Sequence, residues 1–258
     1  MKSMPPHRSR ADIETVVFDL DDTLYLEREY VLSGFRHVSQ LVAPSSGRTP
    51  AELFRFLRMT VEKWQSRGNN LDLLLQHYPV LSRSWTVEIL VREYRTHAPK
   101  IRFLQGIESL LRDLRSAGAH LAIITDGPAD SQHRKLEALR LPAMVDKAVV
   151  TDDYGPAYRK PRPLSFTMVM SQFGCHPESC VYVGDNPSKD FQAPRTLGWN
   201  TVRLRVRGQL HQSAEPLSPD AAAHRDCSAV GELRRVLLGR PKARPVAAYE
   251  MGVSDHGH

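Results

Sequence analysis

Asp19 and Asp21 stand two residues apart in Asp19-Leu20-Asp21-Asp22-Thr23, directly after the apolar run Val16-Val17-Phe18. A short buried strand that ends in two carboxylates delivers both to one sheet edge, where they can share a cation and a phosphate. Acidic clusters after strands also serve as turn residues or helix caps, so this segment alone leaves both readings open. Three later segments tip the balance. Leu121-Ala122-Ile123-Ile124-Thr125-Asp126-Gly127 is an apolar run ending in a hydroxyl and a glycine, and Lys160-Pro161 comes after a third run, Ala148-Val149-Val150. Val181-Tyr182-Val183-Gly184-Asp185 closes a fourth, and Asp190 follows Asp185 five residues later. Each run delivers one chemically useful residue at its carboxyl end or soon after it, which is where open parallel sheets hold their ligands.

The elements that must position these residues are readable from periodicity. Between the first and second segments, apolar residues recur every three to four positions: Val31, Phe35, Val38 and Val42; Leu53, Leu57, Val61 and Trp64; Leu71, Leu74, Leu75 and Tyr78; Val87, Leu90, Val91 and Tyr94. These predict four helices, the second opened by the capping box Thr49-Pro50-Ala51-Glu52. From Gly106 the pattern alternates: helix to about Ala117, strand His120 to Thr125, helix Asp130 to Arg140, strand Lys147 to Thr151. A helix from Pro163 to Phe173, a strand from Cys180 to Gly184, a helix from Lys189 to Leu197 and a strand from Thr201 to Leu204 continue it. After Arg207 the chain reads as irregular until a last helix, Val230 to Leu238. Such alternation requires right-handed crossovers and a parallel sheet. The expected fold is therefore α/β, a Rossmann-like parallel sheet core with helices on both faces plus an inserted all-helical cap. Residues 1–25 and 100–239 are expected to form the core, 26–99 the cap, and 240–258 a disordered tail.

With these motifs in this order, the chain resembles the haloacid dehalogenase superfamily, in its phosphatase branch with a helical cap of the C1 type. The resemblance runs from about Val16 to Leu238 and rests on all four segments. It implies a Mg²⁺-dependent phosphomonoesterase in which Asp19 is the nucleophile, Asp21 the general acid and base, and Lys160 the cation that neutralises nucleophile and phosphate together. By the same resemblance the Mg²⁺ ligands are the Asp19 carboxylate, the Asp21 backbone carbonyl and the Asp185 carboxylate, with Asn186 and Asp190 around them. Thr125, Asp126 and Gly127 would hold phosphate oxygens at a helix start. Members often carry Asn at the position of Asp126, which leaves the role of that side chain open. Lys160 also lies farther from Gly155 than is usual. Members that break carbon–halogen bonds lack an acid two residues after the nucleophile, so Asp21 favours ester hydrolysis. The implied substrate is a small phosphorylated metabolite, a sugar phosphate or a nucleoside monophosphate. A phosphomutase of the same fold and a non-catalytic binding module are the alternatives. Taken singly, each site residue also admits a structural role: Thr125 and Asp190 as caps, Lys160 as a surface cation, Asp185 in a turn.

The 258 residues, 41% of them hydrophobic, suffice for a full core plus an insertion. No stretch approaches the length needed to span a bilayer, and the basic start carries no apolar segment of signal type, so a cytoplasmic protein with no membrane partner is expected. Three cysteines, Cys175, Cys180 and Cys227, show no zinc-ligand spacing and fit buried thiols. A net charge of +6 suits anionic partners, but the arginines form no aromatic-interleaved stripe, so no nucleic acid is expected. Trp64, Trp85 and Tyr94 read more readily as core than as substrate contacts. Oligomeric state is left open.

Overall fold

Side chains alternate between the two faces of a strand, and the four apolar runs obey this rule in the computed structural model, which describes residues 13–63 and 69–239. The strands are β1 (Thr15–Phe18), β2 (His120–Thr125), β3 (Lys147–Val150), β4 (Cys180–Gly184), β5 (Asn200–Leu204) and β6 (Arg225–Cys227). They pair in parallel in the order β3-β2-β1-β4-β5-β6. Phe18, the last residue of β1, stands opposite Ile123 on one side and Val183 on the other. The chain builds outward from β1 through β2 to β3, then returns to place β4 on the other flank of β1. This reversal makes the carboxyl ends of β1 and β4 the topological switch point, where two crossovers diverge and leave a crevice.

The helices are α1 (Glu27–Ser46), α2 (Pro50–Lys63), α3 (Asn70–His77), α4 (Val87–Thr96), α5 (Ile107–Ser116), α6 (Ala129–Ala138), α7 (Leu164–Phe173), α8 (Gln192–Thr196) and α9 (Val230–Leu238). Val16, Phe18, Leu121, Ile123, Val181 and Val183 face one layer, against Leu110 and Leu114 of α5, Leu136 of α6 and Leu233 of α9. Val17, Ala122, Ile124, Val149 and Tyr182 face the other, against Phe166 and Val169 of α7 and the buried Trp199.

Helices α1 to α4 lie between β1 and β2 in the chain and share a separate apolar cluster built on Phe35, Val38, Leu53, Leu57, Leu74 and Leu90. The capping box forms as its residues dictate: Glu52 Oε2 accepts from Thr49 N at 2.9 Å, and Thr49 Oγ1 accepts from Glu52 N at 3.3 Å. Gly34 lets α1 and α4 approach, since a Cβ there would collide with the Tyr94 ring. Trp85 packs into this cluster and donates from Nε1 to Ser45 Oγ at 2.9 Å, so Trp85 and Tyr94 are packing residues. Trp64 lies outside the described residues, as do residues 240–258.

Two elements differ from the sequence expectation. The segment after Arg207 contains β6, a three-residue edge strand whose first two residues are exposed and charged, so it carries no apolar run to announce it. Helix α8 starts at Gln192 rather than Lys189, because the amides of Lys189 and Asp190 turn back onto the Asn186 carbonyl at 3.3 and 3.0 Å. The three cysteines are free and buried. No described helix is long and apolar enough to cross a membrane.

Candidate active site

The parallel ladder runs one residue past β1: Asp19 N donates to Val183 O at 2.8 Å, which fixes Asp19 at the switch point with its side chain buried. Lys160 reaches it from the segment after β3. Its Nζ donates to Asp19 Oδ1 at 2.6 Å, Asp190 Oδ1 at 2.8 Å and Tyr182 Oη at 2.9 Å, with no solvent exposure of the side chain. Asp190 is fully engaged, since its other oxygen accepts from the amides of Asp185 and Asn186 at 3.2 and 2.9 Å. Asp19 Oδ2 and Asp185 Oδ2, in contrast, are buried with no hydrogen-bond partner.

Burial dominates the electrostatics. It pushes the Asp19 carboxyl up to about 6 even though Lys160 opposes it. Burial, with Asp190 and Asp19 adding negative charge, pushes Asp185 up to about 9. For Asp190 burial is outweighed by Lys160 and Lys189, which hold it below the usual carboxylate range. Two orphaned oxygens on carboxylates that resist ionisation describe a site short of one positive charge. Oxygens of Asp19, Asp185 and Asp190 lie within 4.8 Å of one another. The donor set is all hard oxygen, so the residues present fit Mg²⁺.

Asp126 supplies the frame for Lys160. Its Oδ1 accepts from Thr151 Oγ1 at 2.7 Å and from the backbone amide of Lys160 at 3.2 Å, while Lys189 Nζ lies 3.9 Å from Oδ2. The carboxylate therefore ties the end of β2 to the segment that carries the lysine. Gly127 follows at the turn into α6, and Thr125, wholly buried at the end of β2, presents its hydroxyl beside it. Asn186 spends its side chain on the turn, accepting from Ser188 N and Oγ at 3.0 and 2.7 Å. Asp22, adjacent to the pair, has a backbone role: it caps Glu27 N at 2.7 Å and receives Leu210 N at 2.8 Å.

Asp21 stands in a second group of residues that motif reading did not single out. Its Oδ1 accepts from Lys135 Nζ at 2.8 Å and from the Tyr25 hydroxyl, and its Oδ2 accepts from Gln132 Nε2 at 2.9 Å. Against the effect of burial, Lys135 and these hydrogen bonds hold the Asp21 carboxyl below its usual range. Gln132, wholly buried, also donates to Thr125 Oγ1 and to Asp126 O, and accepts from Lys135 at 2.6 Å. One amide thus joins the acid of the first motif to the hydroxyl of the second. The available signal was the placement of Gln132 and Lys135 on the same stripe of α6 as the buried Leu136 and Leu139, polar groups on an apolar face. Lys189 was likewise passed over; its neighbours Asp19, Asp190 and Asp126 are all acidic.

The chain is similar to several known proteins. The family model of haloacid dehalogenase-like hydrolases matches residues 16–204, a span that includes Asp19, Asp21, Thr125, Lys160, Asp185 and Asp190. A glyceraldehyde 3-phosphate phosphatase of Methanopyrus kandleri is 31% identical over 81% of this chain and 90% of its own length. A phosphoserine phosphatase of Thermus thermophilus is 34% identical over 51% of this chain and 48% of its own. The crystal structure of a HAD phosphatase from Thermococcus onnurineus shares the fold, with a TM-score of 0.56 at 23% identity, covering 88% of this chain and 99% of that one. Motif order, sheet topology and the match over most of the chain agree, and the chain belongs to the haloacid dehalogenase-like hydrolases.

Proposed function

We propose that the protein is a Mg²⁺-dependent phosphomonoesterase that works through an aspartyl phosphate on Asp19. The observation that carries this is the setting of Asp19: Lys160 holds one of its oxygens, and the other is buried and unpartnered beside the unpartnered oxygen of Asp185, as a cation-assisted nucleophile requires. Relatives that act on glyceraldehyde 3-phosphate and phosphoserine support a small phosphorylated substrate.

Asp19, Asp185 and the Asp21 carbonyl would hold the ion, which when bound supplies positive charge to the nucleophile and the phosphoryl oxygens. A carboxylate oxygen of Asp19 attacks phosphorus in line with the ester oxygen. The phosphorus–ester bond breaks, and Asp21 gives a proton to the departing alkoxide. Lys160 and the Thr125 hydroxyl, with the amides around Gly127, receive the equatorial oxygens. Water, its proton taken by Asp21, then attacks the same phosphorus and returns Asp19 as a carboxylate. As built, Asp21 has the arrangement of a base; to act as an acid it must exchange Lys135 for the leaving-group oxygen. The helices α1 to α4 act as the cap in this scheme, closing over the switch point to exclude water. Three free, buried thiols suit a reducing compartment, and we assign the protein to the cytoplasm.

A panel of phosphate monoesters assayed with Mg²⁺ and with EDTA tests the proposal. Metal-dependent release of phosphate from small esters is expected. Transfer of the phosphoryl group to a second hydroxyl of the substrate without net release would replace the hydrolase with a mutase, and inertness toward the whole panel would remove the enzyme reading.

A further inference from the structure

The ester oxygen must come within reach of Asp21, so the leaving portion of the substrate has to lie among the neighbours of Asp21. One of those neighbours is a buried cation. Lys135 Nζ is 2.8 Å from Asp21 Oδ1 and 4.3 Å from the centre of the Tyr30 ring, which covers it from α1. The Tyr30 hydroxyl in turn donates to the carbonyls of Tyr94 and Arg95 at 3.3 and 3.5 Å, which brings the end of α4 onto the group. Helix α4 packs on α6, where Arg134 precedes Lys135. Both Arg95 and Arg134 are exposed, and neither forms an ion pair among the described residues.

Three of the acids near these elements are already engaged. Asp152 is held by Arg159 and by Ala129 N, Asp153 by His133, and Glu93 by His37 and Arg92. Both arginines lie within electrostatic reach of the Tyr30 phenol, and Arg95 also within reach of Asp152 beside β3. At the junction of α1, α4 and α6, Lys135 thus pairs with Asp21, with Arg134 next to it on α6 and Arg95 near the end of α4, which packs on α6.

We propose that Arg95, Arg134 and Lys135 form a subsite for a second anionic group on the substrate. The preferred ester is then a phosphate monoester whose alcohol carries a carboxylate or a further phosphate a few bonds from the ester oxygen. This rests on the phosphatase activity proposed above and narrows its substrate class. An anion arriving here supplies the partner that Lys135 gives up when Asp21 turns to the ester oxygen. It also draws α4 of the insertion onto α6 of the core, so that binding and closure reinforce one another.

The test compares matched esters with Mg²⁺: phosphoglycolate and 1,3-propanediol bisphosphate as anionic probes, ethyl phosphate as the neutral one. Wild-type kcat/KM should favour at least one anionic probe by roughly tenfold or more, the size expected for one charge-assisted contact. Which of the two is favoured distinguishes carboxylate from phosphate. The exposed positions make Arg95→Ala and Arg134→Ala safe for folding, and each should lower the anionic-to-neutral ratio severalfold, mainly through KM, with Arg95→Lys restoring part of it. Hydrolysis of all three esters without an anionic preference, or a preference unmoved in both alanine variants, overturns the subsite and leaves the phosphatase standing. Failure to hydrolyse any ester overturns both.

Discussion

Lys160 is the residue on which most of the site's charge converges. It is a buried cation whose Nζ lies within 2.6 to 2.9 Å of Asp19, Asp190 and Tyr182, and the two carboxylates hold its ammonium group well above the ordinary range against the effect of burial. Removing one partner of such a buried arrangement leaves uncompensated charge, at a cost of about 3–5 kcal/mol. Lys160→Ala should therefore lower the unfolding free energy by about that amount and abolish turnover, which denaturant titration and a phosphate-release assay would check. Asp21→Asn should have a different signature. The rate should fall by roughly 10²- to 10⁴-fold on alkyl esters and by much less on nitrophenyl phosphate, whose leaving group needs less protonation. An equal fall on both would place Asp21 outside proton transfer. Asp19, Asp185, Asp190 and Lys160 were legible in the sequence because each follows an apolar run that also fixes its place at the sheet edge. Gln132 and Lys135 were not, because a helix carries them to Asp21 from more than a hundred positions away, and their place on the apolar stripe of α6 is the one local sign that they turn inward.

At the scale of elements, the end of β4 shows how closely the backbone and the site are fitted. A Cβ on Gly184 would lie 2.5 Å from Asp190 Oδ2, so no larger residue fits while Asp190 holds Lys160 and the amides of Asp185 and Asn186. Gly184→Ala should displace the Asp190 carboxylate, reduce kcat at least as strongly as Asp190→Asn, and lower the melting temperature. A variant with wild-type turnover would show that Asp190 does not position Lys160. The strands β1, β2 and β4 and helix α9 were recognisable because buried parallel strands are short continuous apolar runs and an amphipathic helix has its own period. The short edge strand β6 has neither mark. The start of α8 was misjudged by three residues because the Asn186 turn, built for Asp190, consumes the amides that would have opened the helix.

The whole molecule joins a six-stranded sheet to four inserted helices, and its stability should register the charge deficit at the joint. Asp185 is pushed up to about 9 from an ordinary 3.8, so between these values the folded chain holds a proton that the unfolded chain has released. Stability contributed by this group is full below the lower value and is lost as pH rises through the window; Asp19 acts the same way only up to about 6. In EDTA the melting temperature should accordingly fall between about pH 7 and about pH 8.5, and Mg²⁺ should raise it more at the higher pH, because the ion takes the place of the proton. A metal-free melting temperature that climbs across this interval, or no pH dependence of the Mg²⁺ effect, would place the ion elsewhere. The central claim, covalent catalysis by Asp19, is tested most directly by acid-quenching the protein during turnover of a ³²P-labelled monoester with Mg²⁺. The expected result is label retained on the chain, released by hydroxylamine as an acyl phosphate requires, mapped to the peptide containing Asp19 and absent in a folded Asp19→Asn variant. Turnover without retained label at any quench time, or label that persists in Asp19→Asn, would contradict it.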